Sequence, residues 1–434
     1  MLKKIVVYIL TIESRMILAK YKPFIITITG SVGKTSTKDA IFSAIKNNFH
    51  YARKSYKSMN SEIGLPLTII GAANAWKNFL GWSKNIYIGL ELIIFRKQYP
   101  DCLVLEIGAD HPNDIKKVSK WLKSDIVVIN KISKTPVHVE FFPSAQDVFR
   151  EKSYLIDTLK NNATLILYGD DEQTLSLSQK AKETNSKVLT FGVDNPATVR
   201  GLSCEVKYVN DTSAVPLGMQ FDVDMVGDKL TFNIPGIIGN TYIYPILAAI
   251  AVAKSLSISS SQIIKSLNEY EPPRGRMNII KGKNDVTIID DSYNSSPDAV
   301  LSSLQSLNSI RCTGAKIAIL GDMMELGKFS SQEHKNIGAE SVKYCNKLFV
   351  VGLRSEATAN EAVRNGMNPD LVRRYRDSRE LAAEISDLVK TGDIVLVKGS
   401  QSMRMERIVA ALMAEPELAS QYLVRQEKEW LEKK

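Results

Sequence analysis

The sequence predicts an α/β protein of two successive units, each organised on a mostly parallel sheet. Three observations carry that expectation. Continuous apolar runs of strand length alternate with helical patterns, as in strands buried on both faces. A glycine turn joins the first of these runs to a helix. Finally, Glu271-Pro272-Pro273-Arg274-Gly275 breaks the chain, and strand–helix alternation starts afresh after it.

In chain order, residues 1–21 read as a basic and apolar helix, and 24–29 as the first strand. The glycine turn follows, and 38–46 reads as the helix after it. Residues 60–66 look like an ordinary loop. Segment 76–99 is rich in Trp, Phe, Tyr, Leu and Ile, but Lys77, Lys84, Glu91 and Arg96 interrupt it, so it is no span. Two alternatives stand for it: lying on a membrane surface, or packing against the first helix as a private core. Further strands are expected at 103–107, 126–129, 164–167 and 188–191. An antiparallel patch is expected over 202–234, then an Ala-rich helix over 246–256. After the break, strands are expected at 287–289, 316–320, 348–351 and 394–397, and 425–434 reads as a solvated helical tail. The boundary falls at 273. Residues 1–273 form a central phosphate-loop (P-loop) domain that includes the first helix and the 76–99 insertion. Residues 274–434 form a Rossmann-like α/β domain.

Composition narrows the function classes. With 434 residues, 44% apolar and 24% charged, the chain is long enough for two globular cores. Cys102, Cys204, Cys312 and Cys345 lie far apart with no C-x-x-C pair, which argues against a zinc site or disulfide framework and fits a reducing cytoplasm. The net charge of +9 suits anionic ligands, but no Lys/Arg block is interleaved with aromatics, so nucleic acid is not a predicted partner.

The chemistry begins at Thr29-Gly30-Ser31-Val32-Gly33-Lys34-Thr35-Ser36. Strand, glycine turn and helix in that order form a phosphate cradle. Backbone N–H groups close on phosphate, Lys34 supplies charge and Thr35 offers a hydroxyl to Mg²⁺. Ile28 stands where the general P-loop pattern has a further glycine. Glu106 closes an otherwise apolar strand at its carboxyl end, where ligands of open α/β sheets bind, and is placed to hold Mg²⁺ directly or through water. His138 follows the next strand run. A lone His is usually structural, but its position makes a second metal ligand the alternative. On spacing alone Lys152 is a solvated helix charge.

Seven motifs in fixed order change that reading: 29–36, 60–68 (Asn60-Ser61-Glu62-Ile63-Gly64-Leu65-Pro66-Leu67-Thr68), Leu105-Glu106-Ile107-Gly108-Ala109, Gly275-Arg276-Met277, 289–297 (Ile289-Asp290-Asp291-Ser292-Tyr293-Asn294-Ser295-Ser296-Pro297), 320–327 (Leu320-Gly321-Asp322-Met323-Met324-Glu325-Leu326-Gly327) and 398–406 (Lys398-Gly399-Ser400-Gln401-Ser402-Met403-Arg404-Met405-Glu406). Together they resemble the Mur ligases. The resemblance implies an ATP-dependent amide ligase that works through an acyl phosphate in cytoplasmic peptidoglycan synthesis. Its substrates would be a muramoyl-peptide or related carboxylate, and D-Ala-D-Ala or another amine. It implies two Mg²⁺ ions, with Thr35 and Glu106 at one and His138 near the second. Lys152 matches a lysine that becomes carbamylated. The resemblance also implies that Asn60, Arg276, Asp290 and Asn294 reach the nucleotide. Asp322, Glu325, His334, Lys398 and Ser402 stand where the amine substrate is received, with packing or capping an equal reading for each.

The sequence also departs from the family. A separate UDP-sugar domain precedes the phosphate loop in Mur ligases, whereas here the loop starts by residue 29. The expectation is that this grip is missing or replaced, with 76–99 one candidate. The adenine-contact segment is altered at Thr241, Tyr242 and Pro245, which leaves the Tyr242 ring as a stacking candidate. Ser61 replaces an Asn, and His111 stands in a local variation. The rival readings are a Mur-type ligase with a folylpolyglutamate- or cyanophycin-like acceptor, a P-loop kinase or ATPase, and an idle scaffold.

Overall fold

The computed structural model of the protein describes residues 2–56, 59–76, 78–133, 139–225 and 227–432. Nine strands form the first sheet: β1 (Phe24–Thr29), β2 (Ala52–Lys54), β3 (Cys102–Glu106), β4 (Ser124–Ile129), β5 (Leu159–Tyr168), β6 (Lys187–Gly192), β7 (Val199–Tyr208), β8 (Pro216–Met225) and β9 (Asp228–Pro235). Their order is β2-β3-β1-β4-β5-β6-β7-β8-β9. Pairing is parallel from β2 through β7 and antiparallel from β7 to β9. The second sheet holds β10 (Asn278–Lys281), β11 (Thr287–Asp291), β12 (Lys316–Gly321), β13 (Lys347–Val351), β14 (Val372–Tyr375) and β15 (Ile394–Lys398), in the order β10-β11-β15-β12-β13-β14. Only β10 pairs antiparallel there.

The strands expected as apolar runs are all present. β2, β10 and β14 were not foreseen. They are three or four residues long, and each presents polar or half-buried positions at a sheet edge or beside one. Such strands are made by pairing rather than by hydrophobic pattern.

Alternation along β1 sends Ile26 and Ile28 into one core, with Ile41 and Leu247, and Ile25 into another, with Leu10, Leu67 and Val148. The first of these cores runs on into the second sheet through Ile289, Leu320 and Leu348. Helices α1 (Leu2–Tyr21), α2 (Lys34–Ile45), α3 (Gly64–Ile70), α4 (Phe79–Ile94), α5 (Asp114–Ser119) and α6 (Ala145–Ser153) belong to the first half. Tyr242 is buried in the shared core and its hydroxyl donates to the Arg276 carbonyl, so its ring packs between the two sheets instead of offering a face to a purine.

Of the expectations about surface segments, one is revised, and for 76–99 packing against the first helix is found. The end of the chain is not a solvated helical tail. Arg425 is buried, pairs with Glu406 at 2.8 Å and donates to the Ser292 carbonyl at 2.6 Å, and only Lys428–Leu431 is helical beyond it. Segment 76–99 contributes α4, which lies along α1 and buries Leu92 with Val6, Leu10 and Ile17. No helix among the described residues is long and apolar enough to cross a membrane.

The two helices approach closely where a glycine permits it. A Cβ on Gly89 would sit 2.3 Å from Glu13 Oε2. Glu13 is buried there, neither of its carboxylate oxygens has a hydrogen-bond partner among the described residues, and burial pushes its pKa up to about 7. A carboxyl whose folded pKa is raised binds protons more tightly in the folded state. Its favourable contribution is full below the unfolded value and is lost as pH rises through about 7. Glu13→Gln is therefore expected to raise Tm by about 2 °C or more at pH 8 and to change it little at pH 5; equal melting shifts at both pH values would contradict the buried-acid account.

Candidate active site

The site forms where β1 stands between β3 and β4, at their carboxyl ends. Ile28 is paired with Glu106 and Thr29 with Ile129, which brings the end of β1, Glu106 and the end of β4 side by side. The turn from β1 to α2 needs glycine twice. Gly30 has φ 149° and a Cβ there would lie 2.6 Å from Asn130 Cβ, while Gly33 has φ 78° immediately before α2. The N-terminus of α2 thus opens on the cleft with its first N–H groups unpaired within the helix, a ready site for phosphate oxygens.

Glu106 is the hub. It is buried, its Oε2 accepts from Thr35 Oγ1 at 3.0 Å, and its Oε1 accepts from Asn60 Nδ2 at 2.9 Å. Lys38 Nζ lies 3.8 Å from Oε2 and keeps the buried charge compensated. A hydroxyl and a carboxylate gathered at one point are hard donors of the kind Mg²⁺ takes. No group of three or more His, Cys, Asp and Glu able to hold a metal exists among the described residues. That pairing suits an ion completed by phosphate oxygens and water, not an all-protein cage. His138 lies outside the described residues.

Lys34 Nζ donates to the Gly30 carbonyl at 2.9 Å, so the charge is held over the loop, and burial lowers its pKa against the pull of Glu106. Lys152 is buried on α6 and does not behave as a solvated charge. Burial, reinforced by Lys34, pushes its pKa down to about 7. Its neighbour Glu151 positions the helix, accepting from the N–H groups of Asn113, Ile115 and Lys116 at 2.7 to 3.0 Å.

Across the cleft, the second sheet contributes loops at the carboxyl ends of β11, β12 and β15. The Arg276 guanidinium lies 4.3 Å from the Tyr293 ring centroid. Together with Ser31, Gly33, Lys34, Thr35, Asn60 and Glu106, the residues Arg276, Asn294, Glu325 and Ser402 line one cleft of about 650 Å³. The remaining sequence candidates stand behind it. Thr29 and Ser36 are buried, and the Ser36 carbonyl accepts from Tyr270 at 3.2 Å. Asp290 is fully buried and accepts from the Ser292 N–H at 3.0 Å; burial pushes its pKa up to about 6. Lys398 pairs with Asp291 at 2.6 Å and donates to the Asn294 carbonyl at 3.0 Å, bracing the loop that carries Tyr293 and Asn294. Asp322 accepts from the Ser355 N–H at 2.8 Å and does not line the cleft. His334 does not line it either. Its Nε2 accepts from the Met323 N–H at 3.0 Å and its Nδ1 donates to the Ser330 carbonyl at 2.7 Å, which leaves neither nitrogen for a substrate.

Sequence reasoning missed four residues. Asn130 follows β4 directly and holds the phosphate loop, donating to Thr37 Oγ1 at 2.8 Å and to the Val32 carbonyl at 3.4 Å. A polar residue at the end of an apolar run was the available signal. Asp110 lines the cleft from the Gly-Ala-Asp-His variation, and Arg404 and Trp430 line it from the far end of the chain. Trp430 had no signal, because its position depends on Arg404 Nη1 donating to its carbonyl at 2.7 Å.

Residues 28–253 match the family described as the Mur ligase middle domain, and 275–401 match the Mur ligase glutamate ligase domain. The UDP-N-acetylmuramoyl-tripeptide–D-alanyl-D-alanine ligase of Bacillus subtilis is 28% identical over 393 residues, covering 90% of this chain and 76% of that protein. The crystal structure of MurF from Acinetobacter baumannii superposes with a TM-score of 0.75 at 23% identity, over 93% of this chain and 80% of that one. MurF from Thermotoga maritima in complex with ADP gives 0.75 at 24% identity, over 95% and 84%.

The geometry separates the His334 reading from the cleft. His334→Ala leaves the buried Met323 N–H without an acceptor, and is expected to cost about 1–3 kcal/mol of stability. Thermal melts would fall while turnover at saturating substrate stays within about twofold. A large loss of turnover with unchanged melting would return His334 to the chemistry.

Proposed function

We propose that this chain, which belongs to the Mur ligase family, joins D-Ala-D-Ala to the peptide carboxylate of a muramoyl-tripeptide precursor at the expense of ATP. As a Mur ligase it is an ATP-dependent carboxylate–amine ligase. The observation that carries the reading is the facing of two sets of groups across one cleft: the phosphate loop with Thr35, Asn60 and Glu106 on one wall, and Arg276, Asn294 and Ser402 on the other. The named substrates are those of the Bacillus subtilis relative. The ATP-consuming precursor chemistry assigns the reaction to the cytoplasm.

In this reading the N–H groups of the loop and the Lys34 charge bind the β- and γ-phosphates. Thr35 and Glu106 would hold Mg²⁺, which when bound neutralises charge on the γ-phosphate. The substrate carboxylate takes that phosphoryl group as an acyl phosphate with release of ADP; the amine then attacks the carbonyl carbon, loses its proton, and phosphate leaves. Lys152 supports a carbamate: its neutral amine takes up CO₂ and releases a proton, which leaves an anionic oxygen donor near Lys34. Residues 1–273 and 274–434 act as two units that close to exclude water from the acyl phosphate. The folylpolyglutamate-like, kinase and ATPase readings each dispense with the D-Ala-D-Ala amine.

Incubation with UDP-linked muramoyl-tripeptide, D-Ala-D-Ala, ATP and Mg²⁺ is expected to yield the ligated mass, with phosphate release that needs both carboxylate and amine. Lys34→Ala is expected to lower that release by about 10²-fold or more. Release with ATP alone would favour an ATPase. For Lys152, activity is expected to fall as pH drops below about 7, where the amine is protonated and carbamate is lost. Lys152→Ala is expected to be inactive and partly rescued by short carboxylic acids; a silent substitution would remove the carbamate.

A further inference from the structure

The outer side of α1 and α4 reverses the usual polarity of a surface helix. On α1, Ile5, Tyr8, Ile12 and Met16 recur at helical spacing and are 37% to 68% exposed. On α4, Leu80, Tyr87, Leu90 and Ile94 do the same at 44% to 78%. The opposite sides of both helices are already spent on the core through Val6, Leu10, Ile17 and Leu92. Each helix is therefore apolar on two sides, and one of them faces water.

The charge around this face is equally lopsided. Lys and Arg occur all along the chain, but the net excess does not. Residues 2–22 and 76–98 contain nine basic and two acidic residues, seven of the nine net positive charges of the molecule. Of the two acids, Glu13 is buried between the helices and Glu91 is paired with Lys97 at 2.7 Å. Trp76, Tyr8 and Tyr87 are exposed beside the aliphatic stripes, and such side chains have an apolar body and a polar tip suited to a membrane–water boundary.

We propose that the α1–α4 face docks the protein on an anionic lipid surface, with Ile12, Leu80 and Tyr87 entering the headgroup boundary and Lys4, Arg15, Lys84 and Arg96 meeting the lipid phosphates. The charge selects this occupant. A second copy of the chain would bring the same positive surface against itself, whereas an anionic bilayer attracts it, and each basic residue near such a surface adds to binding. Neither helix crosses the bilayer, so the attachment is peripheral and reversible.

The test is sedimentation of the full chain with vesicles of phosphatidylcholine alone, and of phosphatidylcholine with about one-third phosphatidylglycerol. Binding to the anionic vesicles is expected, with release as NaCl rises from about 0.1 M to about 0.5 M. The double variant Leu80→Glu/Tyr87→Glu, and separately Lys84→Glu/Arg96→Glu, are each expected to lower the partition coefficient about tenfold or more. Because the altered side chains are exposed, melting temperature and ATP turnover should not move. Equal binding to both vesicle types, no binding to either, or variants that bind like the parent chain would overturn the proposal. So would a dimer in sedimentation equilibrium that Leu80→Glu/Tyr87→Glu dissociates, since the face would then belong to a second copy.

Discussion

The site depends on one buried carboxylate. Glu106 ends β3 in a sheet whose neighbouring strands are apolar, and a charge there survives only because its surroundings are arranged for it. Thr35 and Asn60 each donate to one of its oxygens, and Lys38 stands 3.8 Å away. The consequence is mechanical as well as electrostatic. Thr35 belongs to the first turn of α2, Asn60 to the loop before α3, and Glu106 to β3. Three separate stretches of chain are thus pinned at the mouth of the phosphate loop. All three residues also line the cleft, so the groups that organise the loop border the space between the two walls.

A second layer of contacts ties this wall to the opposite one. Tyr270 donates to the Ser36 carbonyl in α2, and Tyr242 donates to the carbonyl of Arg276, whose guanidinium lies over Tyr293 in the cleft. Behind Tyr293, Lys398 and Asp291 form a buried pair that holds the Asn294 loop, and Arg425 holds the Ser292 and Tyr293 carbonyls. Asp290, Asp322, His334 and Lys398 stand near cleft residues in the sequence, yet their side chains bond neighbouring backbone or, for Lys398, the buried Asp291 carboxylate. Rigid loops on both walls fix the positions of the groups that line the cleft between them.

The α1–α4 face belongs to the same body of structure. Ser14 of α1 reaches the Pro66 carbonyl in α3, and α3 follows the Asn60 loop directly. A surface that attaches the protein to lipid would therefore be connected, through two short packed elements, to the wall that carries Glu106.

Much of this was legible in the sequence, and the reason is local. Buried parallel strands demand continuous apolar runs, and a phosphate loop demands glycine at set positions before a helix; both needs are met by adjacent residues, so β1, β3, β4, β5, β6 and β11 to β13 and β15 could be read off the chain, as could Lys34, Thr35 and Glu106. What the tertiary structure alone decided is wherever distant segments meet. β2, β10 and β14 exist because a neighbour pairs with them, and Asn130 braces the loop because β4 lies beside β1. Lys152 reads as an ordinary surface lysine until packing removes water from it and lowers its pKa. Trp430 reaches the cleft only because Arg404 and Arg425 bind the end of the chain back. Hydrophobic period and turn chemistry are written along the sequence, but burial and pairing between remote residues arise only when the chain is folded.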